Sequence, residues 1–197
     1  MQKHQIMYSG ELVTLRAFEL DDLDEIMQHW NNYELRKFVD NVLPVSSVSE
    51  KEWLERVAKL NPWRDHELLF AITETKTGKL IGGAGLHDIS FDSRHTEFGI
   101  SIYNPDYWSK GYGTDATTLT LWIAFHILGL NSVTLRVFEY NTRAIKAYEK
   151  CGFKRVGILR KRKFIDGDFH DEIIMDFLAD EFFERFPPGT KPWGCKR

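Results

Sequence analysis

The chain has 197 residues, of which 43% are hydrophobic and 14% aromatic, enough apolar material for one sizeable core and a single domain over 1–197. A formal net charge of −3 carries no nucleic-acid footprint, and the two distant cysteines, Cys151 and Cys195, exclude a disulfide scaffold. No apolar run is long enough to span a bilayer and no basic-then-apolar leader opens the chain, so the expectation is a cytoplasmic protein with no nucleic acid and no membrane among its partners.

In chain order, "LVTLRAF" (12–18) alternates and reads as a first strand. A helix follows, with Asp21 as its cap, Asp24 in its first turn, and Leu20, Leu23, Ile26, Met27 and Trp30 at helical spacing. In "VSEKEW", Ser49 with Glu52 suggests a capping box and Val48 with Trp53 a staple, for a helix running to about Leu60. "ELLFAIT" and "GKLIGGAGLHDI" read as strands joined by a turn at Thr77 and Gly78. The fourth strand, "TEFGISIY", puts Phe98, Ile100 and Ile102 on one face and Glu97, Gly99, Ser101 and Tyr103 on the other. A nearly all-apolar helix spans Thr114 to Leu128 and stops at Gly129. The strand "SVTLRVF", an N-cap at Asn141 and the helix "TRAIKAYEK", ended by Gly152, come next. A hairpin turning at Asp166 and Gly167 closes a core of 10–180. It is followed by a short helical segment near Asp180 to Arg185 and a tail over 186–197.

The stretch "YWSKGYGTDATTLTLW" (107–122) sets a glycine pair in front of a helix. Gly111 and Gly113 let the backbone turn tightly and approach a ligand closely, while the first helical N–H groups point outward with the positive end of the helix dipole. Three readings compete: a plain tight turn, a dinucleotide fingerprint (Gly111, Gly113, Ala116, with Glu139 on the ribose), and an anion cradle of another kind. "NPDYWSK" separates the loop from its strand and too little chain follows for a doubly wound sheet, which counts against the dinucleotide reading. No Gly-Lys-Ser/Thr occurs, so a Walker A loop is excluded.

The joined pattern from Glu97 to Phe153, W-x-K-G-Y-G-T, helix, strand, then Y-N-x-x-A-I-x-x-Y-E-K-x-G-F, resembles the GCN5-related N-acetyltransferases (GNAT superfamily). It is most similar to the branch that acetylates ribosomal-protein N-termini and spermidine, and the resemblance covers nearly everything between Gly10 and Asp180. It implies an α/β fold, a mixed, strongly twisted sheet of about six to seven strands flanked by helices, with acetyl-CoA held where the fourth and fifth strands splay apart. Backbone N–H groups from Lys110 through Thr114 then hold the pyrophosphate. Ile100, Ser101, Ile102, Trp108, Ser109, Lys110, Gly111, Tyr112, Gly113, Thr114, Asn141, Ala144 and Tyr148 form the implied cofactor site. Where the family often has Gly, this chain has Ser109; either the backbone there does not need positive φ or the hydroxyl adds a contact.

Acetyl transfer to an amine needs a neutral amine, a polarised carbonyl and a proton for the leaving thiolate, and no protein nucleophile. Glu97 is the candidate base, directly or through water, with a backbone carbonyl on the splayed strand as its rival. Tyr148, whose reference pKa is near about 10, is the candidate acid. Cys151 has no neighbouring His in sequence to activate it and reads as a small buried hydrophobe. The histidines, His87 among them, show no metal-ligand spacing, so no metal is expected, and "RKRK" (160–163) reads as a solvated hairpin face. The resemblance places the acceptor between the first two helices and the hairpin. Trp30, Asn31, Tyr33, Arg36 and Phe38 flank it on one side and Phe164 to His170 on the other, with Glu97 between. The expected acceptor is a protein or peptide α-amine. The alternatives are a spermidine-like polyamine or other small amine, and a protein that binds acyl-CoA without turnover. The expected assembly is a monomer or homodimer.

Overall fold

The computed structural model describes residues 8–39 and 42–190. One eight-stranded sheet runs in the order β1-β2-β3-β4-β5-β6-β8-β7. Its strands are β1 (Tyr8–Ser9), β2 (Val13–Arg16), β3 (Leu68–Glu74), β4 (Leu80–Ser90), β5 (His95–Ile102), β6 (Ser132–Phe138), β7 (Lys154–Ile165) and β8 (Asp168–Leu178). All neighbours are antiparallel except β5 and β6, whose parallel pairing requires the long crossover that the central helix supplies. The strand beyond the expected count is β1, a two-residue pairing of Tyr8 with Leu15 and Ser9 with Thr14.

Alternation along the strands divides the core in two. On β3, Phe70 and Ile72 join a large cluster beneath the later helices, whereas Ala71 between them joins a second cluster of Phe18, Ile26, Leu35, Leu54, Val57, Leu80 and Tyr103. The second cluster lies beneath the early helices α1 (Leu23–Met27), α2 (Tyr33–Arg36) and α3 (Ser47–Val57); α4 (Pro62–Asp65) leads back into the sheet. The first cluster holds α5 (Tyr112–Trp122), α6 (Thr142–Cys151) and α7 (Ala179–Arg185).

Several boundaries differ from expectation for local reasons. The cap before α1 is not Asp21. A 3₁₀ turn over Leu20–Asp22 is capped by Glu19, and the Asp22 carboxylate accepts from Glu19 N at 2.8 Å while taking the Arg16 guanidinium at 2.6 and 2.8 Å. α3 begins three residues early: Ser46 Oγ, not Ser49, accepts the capping bond, from Ser49 N at 3.1 Å, and the helix ends at Val57 rather than near Leu60. The longer start lets Glu50 bury on the same face as Leu54 and Val57. The helix expected to reach Leu128 is α-helical to Trp122 and π-helical over Ile123–Ile127, where Leu128 N reaches Ile123 O, five residues back, at 3.0 Å. Gly129, at φ +64°, ends it.

The segment after α7 folds back. His126 Nε2 lies 3.1 Å from Phe186 O, and Trp122 Nε1 donates to Thr190 O at 3.1 Å. Pro192 and Cys195 lie outside the described residues. Among the described residues no helix is long and apolar enough to cross a membrane.

Candidate active site

The site starts at a fork in the sheet. β5 and β6 pair at His95↔Ser132, Thr96↔Val133 and Glu97↔Thr134, and there the pairing stops. Beyond that row β5 stays with β4 as far as Gly82↔Ile102, while β6 stays with β8 as far as Phe138↔Glu172. Two antiparallel partners thus draw two parallel strands apart. The gap opens a groove of about 1320 Å³, along which Phe98 to Ile102 turn an edge with no β6 partner.

One wall is the glycine loop. Ser109 takes φ +58° and Gly111 φ +93°, so the backbone at Ser109 does adopt the left-handed conformation, and a non-glycine residue bears that cost. The first i→i−4 bond of α5 is Asp115 N to Gly111 O at 2.9 Å, and Gly111 supplies no side-chain cap. The N–H groups of Tyr112, Gly113 and Thr114 therefore have no helical acceptor. The Asp115 carboxylate near this positive end is turned away, accepting from Leu12 N at 2.7 Å and Val13 N at 3.0 Å. At Gly113 an added Cβ would meet nothing closer than Ile102 Cγ1 at 3.9 Å, so the fold does not require glycine there. A bare, donor-lined helix start with a glycine the fold does not need fits a pyrophosphate approaching the backbone.

The facing wall is the start of α6. Asn141 Oδ1 accepts from Ala144 N at 3.2 Å, leaving Nδ2 without a partner among the described residues. Two turns on, Tyr148 is buried edge-on against Phe98 and Phe153, with centroids 6.3 and 5.9 Å away. Its hydroxyl has no hydrogen-bond partner among the described residues, and burial pushes the phenol well above its ordinary value, so it stays protonated at neutral pH. Cys151 follows. Burial raises its thiol to about 11, and Sγ lies 3.8 Å from Thr114 O, stitching α6 to α5.

Of the expected cofactor residues, Ile100, Ser101, Ile102, Trp108, Ser109, Gly111, Gly113, Thr114, Asn141, Ala144 and Tyr148 line the groove. Lys110 and Tyr112 do not; the Tyr112 hydroxyl donates to Glu74 Oε1 at 2.7 Å, so only its backbone faces the site. Trp108 is fixed by Nε1 donating to Ile102 O at 2.8 Å and is covered by the Arg143 guanidinium, 3.6 Å above the ring.

The other arm of the groove divides the expected acceptor residues. Trp30 and Glu97 line it, together with Phe18, Phe38 and Trp53. Arg36 is buried behind Trp30, its guanidinium 4.8 Å from that ring and its pKa lowered by burial against the pull of Glu50. Tyr33 donates to Asp166 across the hairpin turn, His170 Nδ1 lies 3.4 Å from Glu139 Oε1, and Phe164 packs on Phe169 at the exposed tip. None of the three lines the groove; the Tyr33–Asp166 bond is a latch between α2 and the hairpin, reinforced by Tyr140 donating to Lys37 O at 2.6 Å. Glu97, the expected base, accepts from Arg136 at both oxygens, at 2.9 and 2.9 Å. Sequence reasoning missed Arg136, and it missed His87 with Glu67, which line the groove beside it. The only local signal for Arg136 is that alternation in "SVTLRVF" puts it on the same face as Thr134.

A splayed parallel pair with an uncapped helix start on one side and an aromatic arm on the other is the architecture of coenzyme A-dependent acyl transfer to an amine. The acetyltransferase (GNAT) domain family matches residues 13–154, and the chain belongs to it. It is an N-acetyltransferase that uses acetyl-CoA. The chain is 28% identical over 189 residues to the spermidine N(1)-acetyltransferase of Escherichia coli, covering 93% of this chain and 95% of that one. An uncharacterized N-acetyltransferase of Bacillus licheniformis is 27% identical over 173 residues, covering 87% and 96%. The crystal structure of spermidine N-acetyltransferase from Vibrio cholerae in complex with CoA and spermine superposes with a TM-score of 0.76 at 29% identity, covering 87% of this chain and 98% of that one.

Proposed function

We propose that the chain acetylates a primary amine of a polyamine-like cation, by direct attack of the amine within a ternary complex. This reverses the order expected from sequence, where a peptide α-amine came first. The similarity to spermidine acetyltransferases supports it. The observation that carries it is the lining of the groove, where Glu67, Asp88, Glu97 and Glu172 occur with the aromatic rings of Trp30, Phe38 and Trp53; arginines pair with the three glutamates, and Asp88 has no partner among the described residues. Carboxylates attract an ammonium chain, and ring faces accept its alkyl segments and charge.

Acetyl-CoA supplies the thioester. The N–H groups of Tyr112, Gly113 and Thr114 bind its pyrophosphate, the free edge of β5 at Ile100 to Ile102 lies along its pantetheine arm, and Asn141 Nδ2 donates to the same arm. Tyr148 donates a proton to the departing sulfur, and Trp30 and Glu97 orient the acceptor. A peptide α-amine is the second reading, favoured by the exposed pair Phe164 and Phe169 at the rim, over which a chain continuing from its N-terminus would run.

Incubation of pure protein with acetyl-CoA and spermidine, spermine or a panel of free-N-terminus peptides, followed by free-thiol release and product mass, separates the two. Polyamine products at higher kcat/KM support the first reading; peptide products alone replace it with the second.

A further inference from the structure

The proton that the acceptor must lose has a better destination than Glu97. His87 on β4 is paired with Glu97 on β5, and Glu97 with Thr134 on β6, so the three form the last row before the strands part. Directly opposed residues of neighbouring strands share a face, which sets the imidazole beside Glu97 at the apex of the fork. His87 lines the groove there.

Two glycines determine how the ring lies. Gly85 and Gly99 are themselves a cross-strand pair, next along that face from the apex. A Cβ on Gly85 would come within 3.0 Å of His87 Nε2, and one on Gly99 within 3.4 Å. The imidazole therefore extends over this glycine pair, sharing the space above Gly85 with the Leu69 side chain, and Nε2 is its nearest atom to Gly99, in the stretch of β5 that has lost its β6 partner. Nδ1 points the other way, 2.9 Å from Glu67 Oε1, and Glu67 Oε2 takes Arg56 Nη1 at 2.5 Å. A carboxylate only accepts, so the contact puts a proton on Nδ1 and makes Nε2 the nitrogen able to accept one in the neutral ring. The groups around the ring are Glu67 before β3, Glu97 on β5 and Asp88 next on its own strand, with Arg56 of α3 and Arg136 of β6 behind the two glutamates. Glu97 gives both oxygens to Arg136; Nε2 has no partner among the described residues.

We infer that His87 is the general base of the transfer and Glu67 its positioning residue, the Glu67–His87–groove alignment doing for the amine what a carboxylate–histidine pair does for a hydroxyl nucleophile. This rests on the proposed amine acetylation. Nε2 takes one proton from the ammonium form of the acceptor, and the neutral nitrogen attacks the thioester carbon, forming the C–N bond. As the C–S bond breaks, sulfur leaves with the electron pair and takes a proton from Tyr148. The second nitrogen proton returns to the tyrosinate through solvent, and the imidazolium proton passes to bulk water.

The test compares wild type, His87→Gln, His87→Gly and Glu67→Gln. We expect His87→Gln to lose roughly a hundredfold or more in kcat toward spermidine, to lose the acidic limb of the kcat/KM–pH profile, and to bind CoA with unchanged affinity by calorimetry. His87→Gly is rescued by added imidazole, and Glu67→Gln retains the limb at a displaced pH. Nitrogen-15 NMR of the CoA-bound wild type shows the proton on Nδ1, and Glu67→Gln mixes the tautomers. An intact acidic limb in His87→Gln, failure of imidazole rescue in a folded His87→Gly, or a proton resident on Nε2 overturns the inference. If the wild type acetylates no amine at all, the proposed function fails instead, and the tautomer measurement still decides how the ring is held.

Discussion

Arg136 on β6 grips both oxygens of Glu97 on β5 across the row where the two strands stop pairing. The bidentate fork holds the apex of the groove in register and occupies the carboxylate that sequence alone singles out as a base. Both side chains remain about a third exposed, so the pair is a positioning contact more than a source of stability.

Glu97→Gln is accordingly expected to lower stability by under about 1 kcal/mol and to raise the acceptor KM, while the acidic limb of the kcat/KM profile persists. Thermal melts and a pH series on the variant check both parts. Disappearance of that limb would return the base to Glu97.

Gly113 offers a separation of binding from folding that Gly111 does not. Gly111 sits at φ +93° with Leu12 Cδ1 3.2 Å from any added Cβ, so a substitution there strains the loop. Gly113 is helical and has room. Gly113→Ala should leave the melting temperature within a few degrees of wild type while weakening acetyl-CoA by roughly tenfold or more, since the methyl occupies the approach to the N–H groups. Calorimetry showing unchanged affinity would place the pyrophosphate elsewhere.

What the sequence discloses and what it hides follow from distance along the chain. The Asn141 cap, the Gly152 stop at φ +119° and the Asp166–Gly167 turn are local chemistry, and each sits where it was read. The cap of α3 reads as Ser49 in the sequence but is Ser46, and burial of Glu50 favours the earlier start. Glu97–Arg136, Glu67–His87 and Asp115 with Leu12 join residues 20 to 103 positions apart. No periodicity reports such pairs; only the strand register brings them together. The latch has the same cause: Tyr33 and Asp166 both fall on the expected acceptor flanks, yet they bond each other and close the rim.

Cys151 gives a prediction about pH. Its thiol is raised from 9.0 to about 11 by burial, so the folded state holds the proton over a range in which the unfolded chain has released it. A group whose folded pKa is raised contributes stability in full below the unfolded value and loses it as pH climbs through the folded one. The melting temperature should therefore fall between about pH 9 and 11, less steeply in Cys151→Ala than in wild type. At neutral pH that variant should cost about 1–2 kcal/mol through the small cavity and keep most of its activity, because the amine attacks without a cysteine intermediate. An acetyl group trapped on Cys151 after mixing with acetyl-CoA alone would contradict this.

Tyr148 separates chemistry from packing. Its ring is held by Phe98 and Phe153, and Phe at this position keeps both contacts and removes an oxygen with no partner among the described residues. Tyr148→Phe should leave the melting temperature and CoA affinity near wild type and cut kcat by roughly ten- to a thousandfold, the range for losing a positioned proton donor that solvent partly replaces. Because burial raises the phenol above its ordinary value, no basic limb below pH of about 10 should trace to it. An acyl donor with a more acidic leaving thiol departs without help, so the variant should recover toward wild type with that donor. Equal impairment with ordinary and activated thioesters would make Tyr148 a packing residue and send the search for the acid elsewhere along the α6 wall.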